Sequence, residues 1–138
     1  MTNIPAIPVL IDGNTEEDRT LLVDFANTIT DQVRIADDEE RLKMHIAAVM
    51  VSNFTNHIYT LAEDYCTSEQ VDFKFLFPLI VAIAQRLYEF SPSKVQTGPA
   101  VRGDDATIEQ HLSLLKDYPE QRELYKWFSE RIKKKFKY

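Results

Sequence analysis

The sequence predicts a mainly α-helical chain that opens with a small β-α-β piece. Three observations carry this. Apolar residues recur at helical spacing through most of the chain from Leu42 onward. Only two short runs, Ile7 to Ile11 and Gln32 to Ile35, have the length and β-branched character of strands. Both lie before residue 37, so the chain divides into residues 1–37, β-α-β, and residues 38–138, four or five helices.

Ile7 to Ile11 forms a strand closed by Asp12-Gly13-Asn14. Asn14 or Thr15 can cap a helix whose first turn holds Glu16, Glu17 and Asp18, where the helix dipole favours anions. Leu21, Leu22, Phe25 and Ile29 give that helix its apolar face. After the second strand, Ala36-Asp37-Asp38-Glu39 starts a long helix that runs to about Cys66. Two strands are too few for an independent sheet. The segment therefore pairs with another chain or is the tail of a larger α/β domain. Thr67 to Gln70 is a connection. A helix then begins near Phe73, is interrupted or restarted by Pro78, and continues through Leu79, Ile80, Ile83, Leu87 and Phe90 to Ser91-Pro92-Ser93. Asp105 can cap a helix from Ala106 to Lys116 with Ile108, Leu112 and Leu115 inward. Pro119 suits the first turn of a last helix, which runs to about Phe136 and turns Leu124, Trp127, Phe128 and Ile132 inward.

Composition removes several function classes. A net charge of -6 gives a nucleic-acid role no electrostatic support. The basic cluster Lys133, Lys134, Lys135 and Lys137 is local and complements the C-terminal dipole of the last helix. Cys66 is the only cysteine, which excludes an internal disulfide and fits a reducing, cytoplasmic compartment. Met1 to Pro8 lacks the basic and apolar regions of a signal peptide. No His-x-x-x-His pair or carboxylate cluster has metal-ligand spacing, so no metal is expected.

The most unusual stretch is Met44 to Ala62, which holds no charged residue in a chain that is 28% charged. Wound at 100° per residue, it sets Leu42, Ile46, Met50, Phe54, Ile58 and Leu61 on a wide apolar arc. Opposite lies a stripe of uncharged polar groups, His45, Ser52, Asn56 and Tyr59, with Asn53 at its margin. A solvent-facing side would carry Lys and Glu. The expectation is a helix covered on nearly all sides that lends one polar stripe to a site. The length invites comparison with a membrane span, but His, Ser, Asn and Thr are expensive in lipid. His45 could move a proton near neutral pH, and Asn56 could orient a carbonyl. The alternative is a buried polar contact between helices or protomers. His57 and His111 are weaker candidates.

Lys94 to Asp105 is the second unusual stretch and holds two of the three glycines. Gly98 lets a ligand approach the backbone, and Arg102 could grip a carboxylate or phosphate. The alternative is an internal turn bond between Arg102 and Asp104. There is no Gly-x-Gly-x-x-Gly, Walker loop or nucleophile elbow.

Two motifs carry a resemblance. His45-Ile-Ala-Ala-Val-x-x-Ser52-Asn53-Phe-x-Asn56-His57 is followed by Gln96-Thr97-Gly98-Pro99-Ala100-Val101-Arg102-Gly103-Asp104. From about Arg41 onward the chain resembles the C-terminal domain of Rossmann-like proteins known as "domain of unknown function 2520". The preceding β-α-β piece resembles the end of a Rossmann domain. That family is similar to pyrroline-5-carboxylate reductase, deazaflavin-dependent NADP reductase and 6-phosphogluconate-dehydrogenase-like enzymes.

The resemblance implies a helical bundle of the 6-phosphogluconate dehydrogenase C-terminal-like type behind a Rossmann remnant. It implies a homodimer, an NAD(P)-binding Rossmann domain that this sequence lacks, and a cleft closed over the nicotinamide and a small-molecule substrate. His45, Ser52, Asn53 and Asn56 match cleft-facing polar positions, and Thr97, Gly98, Arg102 and Asp104 would join the same cleft. In those roles His45 is the acid/base candidate, Asn53 and Asn56 orient substrate, and Arg102 holds an anionic group. The chain alone is not expected to bind the cofactor or to be catalytic. The rival reading is a non-enzymatic dimeric interaction or ligand-binding module. Both predict a dimer, because the apolar faces of Met44 to Ala62 and Val71 to Phe90 exceed what a small monomer buries.

Overall fold

The computed structural model describes residues 7–136. Residues 1–6, Lys137 and Tyr138 lie outside the described residues, and so do the expectations placed on them. The fold is mainly α with a two-stranded parallel sheet at its start, as expected.

Strand β1 (Val9–Ile11) pairs with β2 (Val33–Ile35) in the register Val9 with Val33 and Ile11 with Ile35. Helix α1 (Glu16–Asn27) is the crossover between them. Thr15 is its cap, accepting from the Asp18 amide at 3.1 Å. The buried residues are few and small: Ile11, Ala26, Thr30 and Ala36. Asp12, at the end of β1, anchors the start of the next helix. Its carboxylate meets Arg41 at 3.1 Å, and Arg41 also donates to the Ala36 carbonyl at 3.0 Å. Arg34 pairs with Glu40. These ties fasten the first turn of helix α2 (Asp38–Ala48), capped by Asp37, to the strands.

After α2 comes a π-helical segment, Val49–Phe54, and then helix α3 (Thr55–Ser68). The long helix therefore exists, but not as a uniform α-helix. By their contacts the described residues fall into two compact units, one up to Asn56 and one from His57 onward. The ties at Asp12 and Arg34 explain why α2 groups with the β-α-β piece.

In the second unit, Gln70 ends the α3 turn in a left-handed conformation (φ 58°), with the Val71 amide donating to the Cys66 carbonyl at 2.8 Å. A 3-10 turn (Phe73–Leu76) leads into α4 (Phe77–Arg86), with Pro78 in its first turn, where a missing amide costs nothing. Short helices α5 (Pro92–Val95) and α6 (Pro99–Arg102) precede α7 (Asp105–Leu114), a 3-10 turn (Leu115–Asp117) and α8 (Pro119–Phe136). Pro119 opens α8, as its fixed φ favours. The unit's core is Leu61, Cys66, Ala100, Ile108 and Leu115, with Ser129 buried among them. Lys133 reaches back to Asp105 and ties the end of α8 to the start of α7. Tyr118 donates to Glu69 at 2.6 Å and stacks edge-on against Tyr65, with ring centres 5.0 Å apart.

One expectation is corrected. The charge-free sequence predicts a helix covered on nearly all sides from Met44 to Ala62, and the chain leaves much of it open: Ile46 is 57% exposed, Met50 58% and Phe54 59%, whereas Leu61 is buried. Among the described residues its own unit offers two three-residue strands and α1, which pack mainly on one another.

Candidate functional site

The sequence singles out two groups of residues, and they lie in different units. His45 stands in the last turn of α2, and its carbonyl accepts from the Val49 amide. Ser52 and Asn53 sit within the π-helical segment, and Asn56 in the first turn of α3. All four are exposed. A π turn closes on the fifth residue rather than the fourth, so it holds one residue more than an α turn. Thr55 marks the widening, its hydroxyl donating to the Met50 carbonyl five residues back at 3.3 Å. Asn56 is therefore rotated by about one residue from where a uniform helix would set it relative to His45. The straight stripe expected from 100° spacing is not kept. Isolated π segments concentrate at functional positions, and this one holds two of the four candidates.

The second group surrounds α6. Gly98 (φ 110°) and Gly103 (φ 68°) bracket that helix, and both conformations favour glycine. The turn they make sets Ala100 into the core, with α6 packed on α7 and α8. The loop is thus packed on the helices that follow it. Asp104, not Asp105, caps α7. It accepts from the Thr107 amide at 3.1 Å and from the Thr107 hydroxyl at 2.7 Å. These two bonds, the hydroxyl first, hold the Asp104 carboxyl below its ordinary range. Burial opposes them, and Arg102 and His111 add smaller contributions in the lowering direction. Arg102 is exposed.

Beside this loop lies an open groove with a cavity volume of about 590 Å³. Ile58, Leu61 and Ala62 of α3 form part of its wall, and Leu124, Phe128 and Ile132 of α8 face it. Thr97 and Gly98 line it, whereas Arg102 and Asp104 do not. Sequence reasoning missed its central polar pair. His111 Nδ1 lies 2.8 Å from the Tyr125 hydroxyl, with the rings edge-on at 5.6 Å. Burial holds the Tyr125 phenol above its ordinary range, so it stays a neutral hydroxyl at neutral pH. Ser129 donates to the Tyr125 carbonyl at 2.8 Å, and Gln121 donates to the Leu61 carbonyl at 3.3 Å. The only sequence signal is Ile108, His111 and Leu115 recurring on one face of a helix. Nothing in it could pair His111 with a residue fourteen positions away.

The residues present do not fit a dinucleotide. The turn after β1 has no glycine-rich cradle, and the first turn of α1 carries Glu16, Glu17 and Asp18, which repel a pyrophosphate. A Cβ on Gly13 would meet the chain's own Asp18 Cβ at 3.0 Å, so this glycine serves the close approach of strand and helix. Among the described residues no three metal-ligating side chains converge. No helix among them is long and apolar enough to cross a membrane.

No curated protein matches the chain. A solved structure does: a Bacteroides fragilis protein described as a candidate NADP oxidoreductase, 38% identical, with a TM-score of 0.89 over 93% of this chain and 49% of that one. The chain thus spans about half the length of that protein. Residues 7–132 match the model of a family described as a domain of unknown function, number 2520. This chain belongs to the domain of unknown function 2520 family.

Proposed function

We propose that this chain is the helical dimerisation and substrate-cleft domain of an NADP-dependent oxidoreductase. In this reading residues 1–37 are the tail of a Rossmann-like domain and residues 38–138 the helical domain. The observation that carries it is the half-length match to a protein described as a candidate NADP oxidoreductase. The remaining half of such a protein is where a dinucleotide would bind, since this chain's own strand-turn-helix does not fit one.

In the whole protein, hydride would pass between nicotinamide and a small carbonyl or imine substrate. His45 is the acid/base candidate, Ser52, Asn53 and Asn56 orient the substrate, and Arg102 holds an anionic group. In the second unit, Thr97 and Gly98 line the groove beside α3 and α8, and Asp104 caps α7 next to it. The uncovered apolar residues of α4 and of Met44 to Phe54 support a homodimer, in which a second copy covers them. The bundle type is that of 6-phosphogluconate-dehydrogenase-like enzymes, and the compartment is the cytoplasm.

The test is the mass of the protein in its own cells, followed by assay. A single-polypeptide mass well above 16.0 kDa, with a bound dinucleotide, is expected. His45→Ala in that native protein should then lower kcat by roughly 10²- to 10⁴-fold. Unchanged turnover removes His45 from proton transfer. A polypeptide mass of 16.0 kDa for the single chain favours the dimeric binding module instead.

A further inference from the structure

We propose that the groove between α3 and α8 binds a neutral, mostly hydrocarbon molecule bearing one oxygen, a ketone or its alcohol, and seats that oxygen on the His111–Tyr125 pair. The proposal concerns binding in the second unit and stands whether or not the whole protein is an oxidoreductase.

Three features of the groove select this ligand. The first is charge. No Asp, Glu, Lys or Arg lines it, so a charged ligand would lose its hydration and find no counter-ion. The second is size and wall chemistry. A cavity of about 590 Å³ faced by Leu61, Leu115, Phe128 and Ile132 matches small-molecule sites, which are largely apolar with a few fixed polar groups.

The third is the pair itself. His111 and Tyr125 both line the groove and bond each other at 2.8 Å. That bond consumes one donor and one acceptor. If the tyrosine hydroxyl donates to Nδ1, the imidazole keeps its Nε2–H and the phenol oxygen keeps a lone pair. If Nδ1–H donates instead, the tyrosine O–H is free to donate and Nε2 is free to accept. Either tautomer leaves one donor and one acceptor over. A ketone needs only the donor, and an alcohol can use either. The pair therefore accommodates both oxidation states of one ligand without rearranging the wall. Of the other polar groups on the wall, Gln121 is engaged on the Leu61 carbonyl and Ser129 on the Tyr125 carbonyl, and the Tyr65 and Thr97 hydroxyls add single polar points to an otherwise apolar lining.

The test is methyl NMR on the full 138-residue chain with acetophenone, 1-phenylethanol and ethylbenzene as probes. The methyls of Leu61, Leu115 and Ile132 should shift on addition of each. The decisive quantity is the ratio of the ethylbenzene Kd to the acetophenone Kd, because both probes share the hydrocarbon contact. Tyr125→Phe combined with His111→Phe removes both donors and should lower that ratio about fivefold, the worth of one hydrogen bond, with the helical circular dichroism unchanged. Should that double variant fail to fold, Tyr125→Phe combined with His111→Leu is expected to lower the same ratio. Absence of groove-methyl shifts with every probe overturns the proposal. So does a ratio unchanged by substitution, which would mean the oxygen is not read. Shifts that appear only when dilution separates two copies overturn it as well, since the groove would then be occupied by protein.

Discussion

Helices α4 and α8 reverse the usual relation between composition and burial. In α4 every residue is apolar except Gln85 and Arg86, yet all but Ile80 are exposed, the large ones by about half. In α8 half of the residues are charged, yet it buries Ser129 and half-buries Leu124, Tyr125 and Ile132. The difference is partners. Helix α8 packs on α6 and α7, whereas the main neighbour of α4 is the 3-10 turn that precedes it. Burial inside one chain depends on what the chain brings to a helix, and apolarity alone does not secure it. A hydrophobic helix without a partner in its own chain is a surface awaiting one.

Two substitutions break this comparison most strongly. On the packed side, Leu115→Ala should cost about 2–3 kcal/mol of stability in urea denaturation. The low end of the leucine range applies because Leu115 borders the groove, where water can enter the space left. On the unpartnered side, Ile83→Asp should change the stability of an isolated monomer by less than about 0.5 kcal/mol, since Ile83 is 53% exposed. If a second copy covers α4, the same change weakens the dimer roughly 30-fold or more in sedimentation equilibrium. A dimer indifferent to Ile83→Asp moves the interface away from α4.

The same contrast explains what the sequence could tell. Features set within a few residues were legible. Thr15 capping α1, Pro119 opening α8 and the tight turn at Asp12-Gly13 each arise from one local requirement. The π-helical segment was not, because apolar spacing at 100° presumes a uniform helix and Val49 to Phe54 satisfies that count equally well. The cap at Asp104 was misplaced by one residue, since Asp104 and Asp105 are chemically identical candidates and only the Gly103 turn distinguishes them. The groove was illegible for a different reason. Its wall joins α3, the Gly98 turn, α7 and α8, and no local spacing announces that meeting.

A smaller effect sharpens the packed side. Gly103 has φ 68°, and an added Cβ would meet nothing within 4 Å. Gly103→Ala should therefore cost about 1 kcal/mol through backbone conformation alone, with no steric addition. Gly103→Asn should cost less, because asparagine tolerates the left-handed region. If the two substitutions are equally costly in thermal denaturation, crowding rather than conformation governs the turn that sets α6 against α8.

The finest test is the charge on Asp104. Thr107 donates both its hydroxyl and its amide to this carboxylate and lowers its pKa in the folded protein. A folded value below the unfolded one means that the unfolded state binds the proton more tightly. The resulting stability is fully present above the unfolded carboxylate range and is lost as pH falls through the folded value. Asp104→Asn keeps a capping oxygen but removes the titration. Its melting temperature should lie slightly below that of the parent at neutral pH and converge with it in acid. Asp104→Ala removes cap and titration together and should stay below the parent even in acid, because the Thr107 amide then has no side-chain acceptor. If the Asn variant parallels the parent at every pH, the carboxylate charge contributes nothing. In that case the loop is held against α8 by Ala100 and the glycine turns alone.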